Sequence, residues 1–240
     1  MLVERAPPDP PSRAPLPVIA LVLSTAACAV IAAVGERSGL PLIHLAALAP
    51  ARFWSGEVWR IVTWVFVDGD PLSLAVRCAI LWWLGRDLSR AWGAARFVWR
   101  YLVLASTTAV AVCLLALAVA PLRRAAWLGG WPMVEALTIS WAAAYPERDV
   151  WMLLVVRLRG RLLIAAVVTL TLLSGLFWGF SSVAPHLLAE ALALLDASDL
   201  GPTLARRYAR WRLRRRGPRL RIVERDEDPP DRPRPPRWVN

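Results

Sequence analysis

The chain has 240 residues, of which 57% are hydrophobic, and its mean hydropathy is +0.45. All 29 basic residues are arginines, and they outnumber the 18 acidic residues to give a net charge of +11. This composition is too apolar for an ordinary soluble domain and indicates an integral membrane protein.

The chain begins with a polar segment and continues into a long apolar one. Residues 1–16 are rich in proline and carry mixed charge, which predicts a disordered tail. Residues 17–34 form an unbroken apolar run that is long enough to cross a bilayer. The competing interpretation is a cleavable signal peptide, but Glu4 and Asp9 weaken the basic region that such a peptide needs.

Five more apolar segments follow, so we predict an all-α membrane domain of six transmembrane helices over residues 17–196. The later segments lie at about 72–84, 99–120, 131–145, 162–180 and 183–195. Three of them are shorter than the roughly 20 residues that a bilayer requires. Short spans are tolerated when other helices surround them, so we expect short central helices enclosed by longer ones.

The placement of arginines predicts the orientation in the membrane. With six spans, three arginine-rich segments fall on one side, which the positive-inside rule assigns to the cytoplasm together with both termini. These segments are 85–100, 146–161 and 197–217. The opposite side receives the loop 35–71 and also Arg123 and Arg124, which run against the rule. The expected location is a bacterial inner membrane.

The C-terminal region is predicted to form a basic juxtamembrane helix at 197–217 and a disordered, proline-rich tail at 218–240. Nucleic-acid binding is the competing interpretation of such a basic run, but its position directly after a span favours anionic lipids as the partner. We therefore expect lipid contacts and no nucleic acid. The arginines expected to contact lipid are Arg206, Arg207, Arg210 and Arg214.

The three cysteines give no sign of a metal site. Cys28, Cys78 and Cys113 all lie in apolar runs without the spacing of metal ligands. We interpret them as small buried apolar residues and expect neither a metal nor another cofactor.

Several short stretches between about residue 50 and residue 196 resemble the rhomboid family of intramembrane serine proteases. They occur in the family's order, at 56–63, 84–88, 93–97, 145–150 and 185–189. The resemblance implies a six-helix rhomboid-like bundle, with Trp59 and Arg60 as the Trp-Arg pair of the family's first loop. The competing interpretation of this pair is an interfacial tryptophan beside an arginine that extends to the membrane surface.

The same resemblance implies that the catalytic residues are missing. The family uses a serine on its fourth helix, a histidine base on its sixth and oxyanion donors on its second. Where the family has Gly-x-Ser-Gly, this chain reads Gly-Gly-Trp-Pro at 129–132. The nucleophile position falls on Pro132, or on Trp131 after a shift of one residue. The oxyanion positions fall on Ser73 and Arg77, and His186 alone matches the family's dyad.

Three charged residues lie within predicted spans and are expected to form a buried cluster. Ionisable residues inside a span usually face the interior and pair, because exposing them to lipid is costly. Glu135 lies three residues after Pro132, and Glu190 lies four residues after His186. We therefore expect Arg77 within ion-pairing distance of Glu135 or Glu190. The alternative is that each side chain extends to the membrane surface.

These features favour a pseudoprotease that binds transmembrane segments of client proteins. The first alternative is an active protease with a displaced nucleophile, in which Ser73 pairs with His186. The second is a small transporter or proton pathway built on Arg77, Glu135 and Glu190.

Overall fold

The computed structural model describes residues 15–152 and 156–198. The predicted tail at 1–16 lies almost entirely outside this part of the chain. The basic segment 197–217 lies outside it except for its first two residues, and the tail 218–240 lies wholly outside it. The helices are α1 (Leu16–Arg37), α2 (Leu42–Ala46), α3 (Pro50–Trp54), α4 (Arg60–Thr63), α5 (Pro71–Trp92), α6 (Ala94–Ala118), α7 (Ala120–Arg124), α8 (Trp131–Ala144), α9 (Gly160–Trp178) and α10 (Ala184–Ala197).

Each of the six predicted apolar segments coincides with a helix, namely α1, α5, α6, α8, α9 and α10. In the described part of the chain, three of them are long and apolar enough to cross a membrane: α1, α6 and α9. Helices α8 and α10 have only 14 residues each. A helical protein with membrane spans is therefore confirmed, whereas the count of six spans stays a prediction.

A short antiparallel hairpin lies between α8 and α9. Its strands are β1 (Asp149–Met152) and β2 (Val156–Arg159), and Asp149 pairs with Arg159. It occupies part of the arginine-rich connection 146–161. The described chain is otherwise built from helices and their connections.

The start of α5 follows from its sequence. The Asp70 side chain accepts a hydrogen bond from the Ser73 amide at 2.6 Å, and Pro71 occupies the first helical position. A capping carboxylate satisfies an amide that has no partner within the helix, and proline costs nothing at that position. Asp70-Pro71 therefore favours a helix that begins at Pro71.

The core lies where α8 packs against its neighbours. Helix α10 makes its most extensive contact with α8. Ala189 and Ala193, the small residues three and seven positions after His186, are fully or almost fully buried. Small side chains let two helices approach closely, which is the main source of helix association inside a membrane.

The connection 35–71 is more ordered than a plain loop. It contains α2, α3, α4 and a 3₁₀ turn at Trp64–Phe66. Leu48 and Trp127 exchange backbone hydrogen bonds of 2.8 and 2.9 Å, which attach this connection to the segment between α7 and α8. The start of α8 is thereby fixed against the loop.

Candidate functional site

The position that matches the family's nucleophile lies at the beginning of α8. Gly129, with φ of +96°, turns the chain, and Trp131 and Pro132 begin the helix. Pro132 is buried and carries no nucleophilic atom. The Trp131 indole Nε1 donates to the Ser73 hydroxyl at 2.6 Å, so the alternative position serves as a contact between α8 and α5.

Arg77 fills the space between α5 and the start of α8. Its side chain is 1% exposed, and Nη1 donates to the Val65 carbonyl at 2.6 Å. The guanidinium lies so close to Gly130 that a Cβ at that position would overlap Nη1 and approach the Val65 oxygen to 2.9 Å. Glycine at residue 130 therefore makes room for the arginine. At the position that matches a rhomboid oxyanion donor, this chain has Arg77, whose Nη1 donates to a backbone carbonyl of the same chain.

The predicted ion pair between Arg77 and a helix glutamate is wrong. The partner of Arg77 is Asp68, whose Oδ2 lies 3.4 Å from Nε and whose side chain is only 7% exposed. The physical reason is side-chain direction, because long side chains on a helix point back towards its N-terminus. Asp68 lies there, in the turn that precedes α5, whereas Glu135 and Glu190 lie on other helices.

Ser73 completes a set of ion-paired and hydrogen-bonded residues that we call the Arg77 network: Asp68, Ser73, Arg77 and Trp131. The Ser73 hydroxyl donates to Asp68 Oδ2 at 3.3 Å and accepts from Trp131. The same Asp68 oxygen, Oδ2, thus accepts the hydrogen bond from Ser73 and forms the ion pair with Arg77. Both residues at the family's oxyanion positions are engaged in bonds that hold α5, α8 and the preceding turn together.

His186 lies in a different environment, at the start of α10. Its Nδ1 lies 2.6 Å from Glu135 Oε2 of α8, and the two side chains are 27% and 24% exposed. Among the described residues no hydrogen bond joins His186 to a serine. The Ser73–His186 dyad that the protease alternative requires is therefore not formed in the structure.

Glu190 is the most deeply buried carboxylate of the helices. It is 2% exposed, and its Oε1 accepts a hydrogen bond from Thr171 of α9 at 2.6 Å. It lies close enough to Glu135 and His186 to interact with both electrostatically. We call Glu135, Thr171, His186 and Glu190 the His186 group. The structure thus brings two of the three predicted charges together and leaves Arg77 out.

The Trp-Arg pair of the first loop also has separate roles for its two members. Trp59 is 49% exposed and donates to the Leu45 carbonyl at 3.2 Å. Arg60 is 3% exposed, and its Nη1 donates to the His44 and Ala47 carbonyls, each at 2.6 Å. Its Nε donates to Glu57 at 2.7 Å. The interpretation of Arg60 as an arginine extending to the membrane surface is wrong, because the guanidinium is buried inside the loop.

Sequence reasoning missed a buried carboxylate near the end of α5. Asp87 is 6% exposed and accepts hydrogen bonds from Trp141 Nε1 at 3.2 Å and from Arg148 Nη1 at 3.0 Å. The Arg148 guanidinium also lies over the rings of Trp141 and Tyr145. The available signal was that Asp87 and Arg148 belong to stretches 84–88 and 145–150, both of which resemble the family.

The cysteines differ in environment more than expected. Cys113 is buried and Cys78 is partly buried, but Cys28 is exposed on α1, so its expected burial is wrong. In a spanning helix an exposed cysteine contacts lipid, which an apolar thiol tolerates. Within the described ranges, no group of three or more metal-ligating side chains is positioned to hold an ion.

Comparison with known proteins identifies a family. The sequence model of a family described as "Eukaryotic integral membrane protein (DUF1751)" matches residues 16–194, which is most of the chain. No curated protein matches at a significant level. The eukaryotic origin in the family's description does not fit the expected bacterial inner membrane. The expectation of an integral membrane protein is confirmed.

Proposed function

The chain belongs to this family of integral membrane proteins, and on that premise we propose that it is a rhomboid-like pseudoprotease that binds transmembrane segments of client proteins. The observation that carries the proposal is the packing of Arg77 against Gly130, beside the helix start that holds Pro132. The Arg77 guanidinium occupies the space beside the position that matches the rhomboid nucleophile, and the residue at that position has no nucleophilic atom. The order of the six apolar helices supports the rhomboid-like part of the proposal.

The proposed absence of catalysis is supported by the surroundings of each matching residue. A serine hydroxyl attacks a carbonyl efficiently only when an adjacent base removes its proton. Ser73 donates to Asp68 and accepts from Trp131, and among the described residues no hydrogen bond joins it to His186. An oxyanion forms only after a nucleophile has attacked a carbonyl, and Pro132, at the helix start beside Arg77, carries no nucleophilic atom.

Client binding is supported by an unoccupied face of α5. Helices α5 and α9 both pack on α8, but in the described chain they make no comparable contact with each other. Ala75 and Ala79 lie one turn apart on α5 and are both exposed, with Val76 and Trp83 beside them. Two small residues spaced by four let a second transmembrane helix approach closely. This face therefore suits the docking of a single-span segment.

Site-specific photocrosslinking in lipid tests the binding proposal. A photoreactive amino acid at Ala79 should crosslink to a synthetic single-span peptide of about 20 alanine and leucine residues with a central Gly-x-x-x-Gly. The same group at Leu23, which is 62% exposed on α1, is the matched control and should crosslink weakly. Ala79→Trp should reduce peptide binding, because a large side chain prevents close approach. Equal crosslinking at the two positions would contradict docking on α5.

The alternatives find less support in the geometry. The protease alternative needs Ser73 and His186 in contact, and each has another partner. The transporter alternative needs a continuous polar path, whereas among the described residues no hydrogen bond or ion pair joins the Arg77 network to the His186 group. The orientation with both termini in the cytoplasm stays a prediction. So does lipid binding by Arg206, Arg207, Arg210 and Arg214, which lie outside the described residues.

A further inference from the structure

An apolar groove of about 460 Å³ lies between the end of α6, helix α7 and the start of α10. This volume is within the range of about 300–1,000 Å³ that is usual for sites of small organic ligands. Ser181 contributes the one polar side chain to its lining. The principal apolar contributors are Leu115, Val119, Leu122, Phe180, Ala184 and Leu187.

Hydrogen bonds hold the walls of the groove in place. The Trp127 indole Nε1 donates to the carbonyls of Ser181 and Ser182 at 3.2 and 3.1 Å, which ties the α9–α10 connection to the segment after α7. Arg123 Nη2 donates to the Leu117 carbonyl at 2.9 Å and so caps the last turn of α6. The groove is therefore bounded by fixed elements on both sides.

Two positive charges come directly after a lining residue of this groove in the chain. Arg123 and Arg124 directly follow Leu122, a lining residue, and both are exposed. Neither forms an ion pair with any residue in the described part of the chain, and Arg123 bonds only to backbone carbonyls. In the proposed orientation this pair lies on the non-cytoplasmic side, where arginine is disfavoured. A bound anion would explain charges that the protein itself does not neutralise.

We propose that the groove binds an anionic phospholipid, with an acyl chain along the apolar lining and the phosphate against Arg123 and Arg124. Guanidinium groups bind phosphate through paired N–H donors, and apolar surface is stabilised when an acyl chain covers it. The two parts of the site match the two parts of such a lipid. The site shares no residue with the α5 face proposed for clients, so either proposal can fail without the other.

Lipid retention by the full-length protein in detergent tests this site, with phosphatidylglycerol and phosphatidylcholine as the probes and native mass spectrometry as the readout. We expect retention of phosphatidylglycerol in preference to phosphatidylcholine. Arg124→Gln should weaken phosphatidylglycerol binding about fivefold, the factor expected for one arginine near an anionic headgroup. Arg52→Gln, at an arginine that is 68% exposed in the 35–71 connection, is the charge control and should retain wild-type binding.

A second pair of variants distinguishes lipid bound in the groove from lipid bound elsewhere on the protein, including lipid bound by the C-terminal arginines. Leu115→Trp places a large ring in the groove and should abolish the retained phosphatidylglycerol, whereas Leu114→Trp, at an exposed neighbour outside the lining, should preserve it. Equal loss or equal retention in these two variants would overturn the proposal. So would equal retention of both lipids by the wild-type protein. Retention of neither lipid would also overturn it.

Discussion

Asp68→Asn is expected to destabilise the folded protein by about 3–5 kcal/mol, the usual cost of removing one partner of a buried ion pair. The variant keeps the shape of the side chain but removes the charge opposite Arg77. Arg77 is 1% exposed, so its guanidinium would stay buried without a counterion. Reversible unfolding in detergent measures the difference in free energy of unfolding.

A double variant and an exposed pair serve as controls for this result. Asp68→Leu combined with Arg77→Leu should recover part of the loss, because it removes both charges and leaves neither uncompensated. Glu147→Gln breaks the ion pair with Arg161, in which the side chains are 69% and 77% exposed, and should cost about 0–1 kcal/mol. If Asp68→Asn were as mild as Glu147→Gln, Arg77 would not depend on Asp68.

Arg60→Ala should cost at least about 3 kcal/mol, because it leaves several buried polar groups without their donors. Arg60 donates to Glu57 and to the His44 and Ala47 carbonyls, and it is 3% exposed. Arg60→Lys should recover only part of the stability, since one ammonium cannot reproduce the planar fork of donors. Unfolding in detergent gives the size of the effect, and limited proteolysis reports whether the 35–71 connection has opened.

Arg52→Ala is the matched control for Arg60→Ala. Arg52 faces the same Glu57 carboxylate at 3.6 Å, but its side chain is 68% exposed. Its removal should change the free energy of unfolding by less than about 1 kcal/mol. Similar effects for the two variants would mean that charge near Glu57, rather than the buried bonds of Arg60, stabilises the loop.

The helices were the most predictable part of the fold. Long apolar runs have few alternatives to the helix in a membrane, and all six apolar segments are helices. The short helices in 35–71 were not predicted, because five or fewer residues carry no periodic signal. Their stability comes from tertiary contacts such as those of Arg60.

The sequence predicted which charged residues lie inside the helix bundle, but it did not predict the partner of Arg77. Glu135, His186 and Glu190 meet because their spacing along α8 and α10 places them on faces that pack together. The partner of Arg77 could not be deduced from helix spacing, because Asp68 belongs to an irregular turn. The role of Asp87 was also hidden, since its partners Trp141 and Arg148 lie 54 and 61 residues further along the chain.

The Arg77 network and the His186 group hold different helices together. The Arg77 network joins the preceding turn and α5 to the start of α8, and the His186 group joins α8, α9 and α10. The position beside Gly130 is therefore filled by Arg77, whereas Ala75 and Ala79 of α5 stay exposed.

Labelling with a serine-directed fluorophosphonate, together with cleavage of a single-span substrate in lipid, tests the central claim most directly. An active rhomboid protease under the same conditions is the positive control. The wild-type protein is expected to show neither labelling nor cleavage, because Pro132 has no nucleophile and Ser73 and His186 have other partners. Labelling that disappears in Ser73→Ala would contradict the account and establish a working protease with a displaced serine.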